Sequence, residues 1–199
     1  MQYSRTTYVI LGILTFEDHQ SGYDIRKTVE CSVGYFWGES YGQIYPTLKH
    51  LATDGLIVPS RPSAAARTKR QLYCITPAGR QCLQQWLAIP YRDDPPRDEF
   101  LLKLFFGQEV APAVSIEHVR TFQAKNRQWL TTMLDLEKLA LANNSSQPGF
   151  PFWMLTLSFG LAQIRSALDW SESALAMLTS AESTAASQPI VTDSVASQG

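Results

Sequence analysis

Gln43, Tyr45, Thr47, Lys49 and His50 share the wet side of one short stretch, SYGQIYPTLKHLATDGLI, which runs from Ser40 to Ile57. These are short or forked polar groups that can reach base edges and phosphates, unlike the mostly charged surface of a solvated helix. On the other side Ile44, Leu48, Leu51 and Ala52 recur at steps of four, three and one, the apolar stripe of a helix resting on a core. A second concentration of chemistry lies just downstream. Arg67, Lys69 and Arg70 fall within four positions, and no acidic residue occurs between Asp54 and Asp93. Cations this dense with no carboxylate near them in sequence suit a polyanion, the rival reading being a flexible basic loop with no partner.

The elements that must hold these groups can be read from local signals. Ser40 is a candidate cap for the helix of about 41–54, and Asp54-Gly55 ends it with a glycine for the left-handed cap residue. Pro46 is tolerated near the start, where the first-turn N–H groups have no partner within the helix. Leu56-Ile57-Val58 and Leu72-Tyr73-Cys74-Ile75 read as strands flanking a basic wing of about 61–73, with its tip near Ser63 to Thr68. Upstream, one helix is expected from about Thr6 to Phe16, and a second after the cap candidate Ser21, where Tyr23, Arg26 and Lys27 are placed to meet a phosphate backbone. Thr76 and Pro77 open a further helix, Ala78 to Ile89, as cap and first helical residue. Helix, helix, strand, basic loop and strand in that order spell a winged helix-turn-helix. Between the two helices, Tyr35, Phe36 and Trp37 crowd a turn bounded by Gly34 and Gly38 and read as core wedges.

At 199 residues the chain can hold one medium domain or two small ones. Its net charge of −1 hides an asymmetry. Residues 1–90 carry nine Lys or Arg against six Asp or Glu, whereas residues 91–199 carry eight against twelve. Cys31, Cys74 and Cys82 show no metal-ligand spacing, and an odd count without a secretory segment fits a reducing cytoplasm; all three read as ordinary thiols. The apolar N-terminal run is too short to span a bilayer and is read as a core helix, with no membrane partner expected. His19, His50 and His118 fall in different elements, and neither HExxH spacing, a phosphate-cradling loop nor a nucleophile elbow is present. No enzyme, metal or cofactor is therefore expected.

Tyr91-Arg92-Asp93-Asp94-Pro95-Pro96 marks a domain boundary. Beyond it, Asp98 and Glu99 open a helix, Phe100 to Phe106, that is apolar on nearly all sides and should be sandwiched. Two long helices then carry heptad spacing, one through Val119, Phe122, Asn126, Trp129, Met133, Leu136 and Ala140, the other through Met154, Leu157, Leu161, Ile164, Leu168, Ser171, Leu175 and Leu178. Asn126 would fix the register as a buried amide that must be paired. Two antiparallel helices enclose no core, so a homodimer through Phe122, Trp129, Met133, Leu157, Leu161, Ile164 and Leu168 is expected. The polar segment from Ala181 to Gly199 should be a disordered tail. The expected layout is mainly α with a small β-hairpin wing: a winged helix-turn-helix over 1–90, a helical dimerisation arm over 91–180, and the tail.

LGILTFEDHQSGYDIRK, YFWGESYGQIYPTLKHLATDGLI, RTKRQLYCITPAGRQCLQQWL and PPRDEFLLKLFFG together resemble the PadR-like transcriptional regulators, in the branch that includes virulence-gene activators. The resemblance covers about residues 6 to 180, and GQIYPTLKHL and YCITPAGR are its most specific parts. It implies a dimer of winged helices that binds inverted-repeat operator DNA. The implied recognition-helix contacts fall on Ser40, Gln43, Tyr45, Pro46 and Lys49, and the wing contacts on Arg67, Lys69 and Arg70. Where the family's wing has a glycine before its basic cluster, this chain has Ala64-Ala65-Ala66. The resemblance further implies a small aromatic effector near the junction of wing domain and arm, where Trp37, Phe100, Phe105, Trp129 and Trp153 are the candidates. The alternative function is a winged-helix module that docks an acidic protein and no longer binds DNA.

Overall fold

The computed structural model describes residues 3–37, 41–60, 70–91 and 97–186, with side chains excepted at 41 and 181–186. Ser40, Arg67, Lys69 and the expected wing tip lie outside the described residues. The chain divides into two compact units, Met1–Asp94 and Pro95–Gly199.

In the first unit, α1 (Arg5–Ile13), α2 (Gly22–Glu30) and α3 (Ile44–Thr53) surround one apolar cluster. Ile10, Leu11, Ile13 and Leu14 meet Ile25 and Val29 of α2, Ile44, Leu48 and Leu51 of α3, and Leu56 and Ile57 beyond it. Burial of a side chain of this size is worth about 1.5–3 kcal/mol, so the spacing of the α3 stripe alone goes far toward fixing which way that helix faces. The α1 helix stops at Ile13, short of Phe16, and its end is closed from outside. The buried Gln20 Nε2 donates to the Ile13 carbonyl at 2.9 Å and to the Glu17 carbonyl at 3.0 Å.

Both strands read from the sequence are present, as β2 (Ile57–Ser60) and β3 (Leu72–Ile75), antiparallel with Val58 opposite Cys74. A third strand was not expected. β1 (Gln20–Ser21) pairs with β3 on its other side, Gln20 facing Tyr73 and Ser21 facing Leu72, which puts β3 at the centre of the sheet. The Asp54-Gly55 stop behaves as read. Gly55 takes φ +71°, Leu56 N–H reaches the Leu51 carbonyl at 2.9 Å and Gly55 N–H reaches Ala52 at 3.2 Å, the paired bonds of a Schellman cap. The next helix, α4 (Pro77–Leu87), begins on Thr76, whose Oγ1 accepts from Gly79 N–H at 3.0 Å and donates to the Gly55 carbonyl at 2.8 Å. It is held to α1 by the stacked rings of Tyr8 and Trp86, 4.5 Å apart.

The second unit holds α5 (Glu99–Phe105), α6 (Pro112–Asn143) and α7 (Phe150–Ala186). Asp98 caps α5, its Oδ1 accepting from Leu101 N–H at 3.1 Å. The two long helices form a hairpin. Asn126 Nδ2 donates to the Phe122 carbonyl one turn back within α6, at 2.9 Å. Two expectations change here. α5 is not sandwiched within the chain, since none of its residues is buried and Phe105 is 80 % exposed. Helix α7 continues to Ala186, past the point where the polar tail was expected to begin, and residues 187–199 lie outside the described residues.

Candidate nucleic-acid interface

The α2–α3 pair is positioned by an N-terminal cap. Ser21 N–H donates to Asp24 Oδ2 at 2.9 Å, and Asp24 N–H donates to Ser21 Oγ at 3.2 Å, a reciprocal capping box. The Ser21 hydroxyl also donates to Asp24 Oδ2 at 2.6 Å. That bond, more than the neighbouring Arg70 and Lys27 charges, holds the Asp24 carboxyl below its ordinary range. The next residue sets the distance between the helices. A Cβ on Gly22 would lie 2.7 Å from Tyr45 Cε1 and 3.2 Å from Leu48 Cδ1, so the start of α3 packs where only a hydrogen fits.

On this base α3 buries its stripe and leaves the opposite face open. Gln43, Pro46, Lys49 and His50 are exposed, and Tyr45 is 60 % exposed although one edge of its ring rests on Gly22. A 3-10 turn, Tyr41–Gln43, leads into the helix, with Gln43 at the cap position and Pro46 in the first turn. The Gln43 side chain makes no capping bond to the helix it opens.

Tyr23 and Arg70, nominated from different elements, come together: the Arg70 guanidinium lies 4.5 Å from the Tyr23 ring centre, tying the strand-proximal end of the wing to α2. Arg26, by contrast, is engaged along its own helix, its Nε 2.8 Å from Glu30 Oε1, while Lys27 is exposed. Among the described residues no group of three or more His, Cys, Asp or Glu could hold a metal ion. What the arrangement can do is present amide, hydroxyl and cationic donors on a convex, fully supported helix.

The residues nominated for dimerisation divide. Met133 and Leu161 are 5 % and 2 % exposed in the single chain, spent on holding α6 to α7. Phe122, Leu157, Ile164 and Leu168 are half-buried, and Trp129 is exposed. The open apolar stripe of α7 is a different one, Phe152, Leu155, Phe159, Trp170 and Met177, which sequence reasoning passed over. Its signal was there, since those residues also step at helical spacing.

Of the five nominated effector residues, Trp37 falls in the first unit and Phe100, Phe105, Trp129 and Trp153 in the second, where they do not form one cluster. Trp37, in the first unit, lies beneath the Arg5 guanidinium, 5.5 Å from ring centre to Cζ. Trp129 sits about 21 Å along α6 from its C-terminal end at 1.5 Å per residue, while Trp153 is in the first turn of α7 at that same end of the hairpin. Phe100 instead stacks on Phe122 at 4.4 Å, and both meet the edge of Trp170 at 5.8 Å. This cluster lines an open groove of about 610 Å³ together with Asp98, Phe159, Gln163 and Ser166. Phe105, also considered, packs edge-on against Phe106.

A capped first helix packed against a second, a three-stranded sheet and an exposed polar face on the second helix define a winged-helix DNA-binding protein. Residues 10–85 match the family described as transcriptional regulator PadR-like, and residues 96–179 match the virulence activator alpha C-terminal family. The negative transcriptional regulator PadR of Bacillus subtilis is 31 % identical over 177 residues, 86 % of this chain and 96 % of that protein. In its crystal structure with operator DNA the match has a TM-score of 0.74 at 30 % identity, over 86 % of this chain and 98 % of that one. The same protein with p-coumaric acid gives 0.71 at 30 % identity, over 88 % and 99 %. The virulence activator AphA of Vibrio cholerae gives 0.71 at 27 % identity, over 88 % and 99 %. The chain belongs to the PadR-like family and is a DNA-binding transcriptional regulator.

Proposed function

We propose that the protein acts as a cytoplasmic homodimer that sets one α3 into the major groove at each half-site of a two-fold symmetric operator. The observation that carries this is the sidedness of α3, sealed on one face by the core and open on the other at Gln43, Tyr45, Pro46 and Lys49. In this arrangement Gln43 reads a base edge, Tyr45 and Pro46 give apolar contact to a thymine methyl, and Lys49 holds a phosphate. Arg70, steadied on Tyr23, meets the backbone from the wing side, with Ser40, Arg67 and Lys69 completing the contact set. Gln43→Ala is expected to cost about 1–3 kcal/mol and to blur preference at one operator position. Lys49→Ala is expected to weaken all sequences alike and to lower the slope of log affinity against log salt by about one. Selection from random DNA followed by salt titration reads both. Unchanged affinity and slope in the two variants would refute the assignment.

The dimer is supported by the apolar faces left uncovered on α5 and α7. An aromatic effector is supported by the groove at Phe100, Phe122 and Trp170, whose one charged lining residue among the described residues, Asp98, is acidic. An anionic ring would meet that carboxylate with no cation among the described lining residues to balance it, so a neutral or cationic planar ring fits better than an aromatic acid. Tryptophan fluorescence titrated with planar dyes of each charge should show quenching by the neutral and cationic ones and none in Phe100→Ala. Equal response of wild type and variant would remove the groove from consideration.

A further inference from the structure

The start of α2 and the strand-proximal end of the wing meet at one pair of side chains. Antiparallel pairing sets Gln20 opposite Tyr73 and Ser21 opposite Leu72, and counting two residues further along each chain reaches Tyr23 and Arg70. The guanidinium carbon lies 4.5 Å from the centre of the Tyr23 ring, yet neither side chain belongs to the core: Tyr23 is 50 % exposed and Arg70 is exposed. An exposed pair of this kind adds only modestly to stability, so its main effect falls on where the cation points. A guanidinium is flat and carries its five N–H donors in that plane, and a ring beneath it limits how the plane can turn. Donors held in this way suit a phosphate, two of whose oxygens can be met at once. The platform is fixed at its base. Tyr23 follows Ser21, which shares a capping box with Asp24, and Gly22, on which the Tyr45 ring of α3 rests. Arg70 is thereby placed relative to the DNA-reading helix through the first turn of α2. The Asp24 carboxyl, held below its ordinary range first by the Ser21 hydroxyl, is lowered further by the Arg70 charge, a second attraction at the same end of α2.

We propose that Tyr23 is a positioning residue that works through the face of its ring, holding Arg70 for a backbone phosphate of the operator, while its own hydroxyl takes no part in the contact. This rests on the operator-binding reading above and replaces the direct phosphate contact that sequence assigns to Tyr23 with an indirect one. The gain is preorganisation. An arginine steadied in one plane gives up less side-chain freedom on meeting DNA than a lysine, whose ammonium is a point charge on a flexible stem.

Three substitutions in the full chain separate ring, hydroxyl and cation, each read as affinity for a selected operator over a range of salt concentrations. Tyr23→Leu removes the ring, and Arg70→Lys keeps the charge but removes the flat group. Each is expected to bind about fivefold or more weakly at an unchanged salt slope, because the number of cations is the same. Tyr23→Phe restores the ring without the hydroxyl and should recover binding to within about twofold of the wild type. Combining Tyr23→Leu with Arg70→Lys should cost about as much as either alone, the mark of two groups acting as one. Equal losses in Tyr23→Phe and Tyr23→Leu would assign the contact to the hydroxyl and overturn the proposal. So would wild-type affinity in Tyr23→Leu or Arg70→Lys, or losses that multiply in the double variant. Arg70→Lys lies at an exposed position just before β3 and carries the test even if Tyr23→Leu folds poorly. A wild type that selects no operator sinks the operator reading itself, and the proposal with it.

Discussion

Gly22 carries more of the interface than any of the polar residues that would touch DNA, because it decides where they stand. The ring edge of Tyr45 occupies the space a methyl group would need. Gly22→Ala is therefore expected to leave α2 intact, since alanine favours helix and the position is its first residue. It should nevertheless push Tyr45 and Leu48 outward and reduce operator affinity about tenfold or more, with a smaller loss of thermal stability. Binding isotherms paired with a melting curve separate the two effects. A loss confined to stability would mean that Tyr45 can yield without consequence for the contact. At this scale Gln43, Tyr45, Pro46 and Lys49 are exposed as read, because a residue on the far side of an apolar stripe has nowhere else to go. The Gly22–Tyr45 approach was not legible, since it depends on how two helices cross.

Single elements succeed or fail as readings according to how local their cause is. The Ser21, Thr76 and Asp98 caps and the Gly55 stop are each decided within a few residues, and all four stand where the side-chain chemistry places them. β1 was invisible because Gln20 and Ser21 have no strand preference of their own and pair only because β3 offers an edge. The two apolar stripes on α7 could not be told apart for the same reason: periodicity shows that both exist, and only packing shows that Leu161 is 2 % exposed while Phe159 is 65 % exposed. The junction of α4 with the turn after α3 offers a further test. A Cβ on Gly79 would fall on the Leu56 carbonyl oxygen, which is rigid backbone. Gly79→Ala is expected to destabilise the first unit by about 3 kcal/mol, in spite of alanine's better helix propensity, as read by chemical denaturation. A neutral or stabilising outcome would show that α4 can shift at no cost.

For the whole molecule the question is what covers Phe105, Phe152, Leu155, Phe159 and Met177, far more apolar surface than scattered exposed residues amount to. A second copy is the proposed cover. Phe159→Glu should then shift the protein toward monomer in sedimentation at micromolar concentration and weaken operator binding by removing the second half-site contact. A dimer undisturbed by that charge would place the interface elsewhere. The seven residues of α5 rest on α6 and α7 through Phe100, while Leu101, Leu102 and Phe105 stay exposed and are too few to hold a helix by themselves in water. With a second copy as the proposed cover, dilution alone should loosen this segment well before it touches the DNA-reading unit, and the amount of regulator in a cell would set its shape as well as its occupancy.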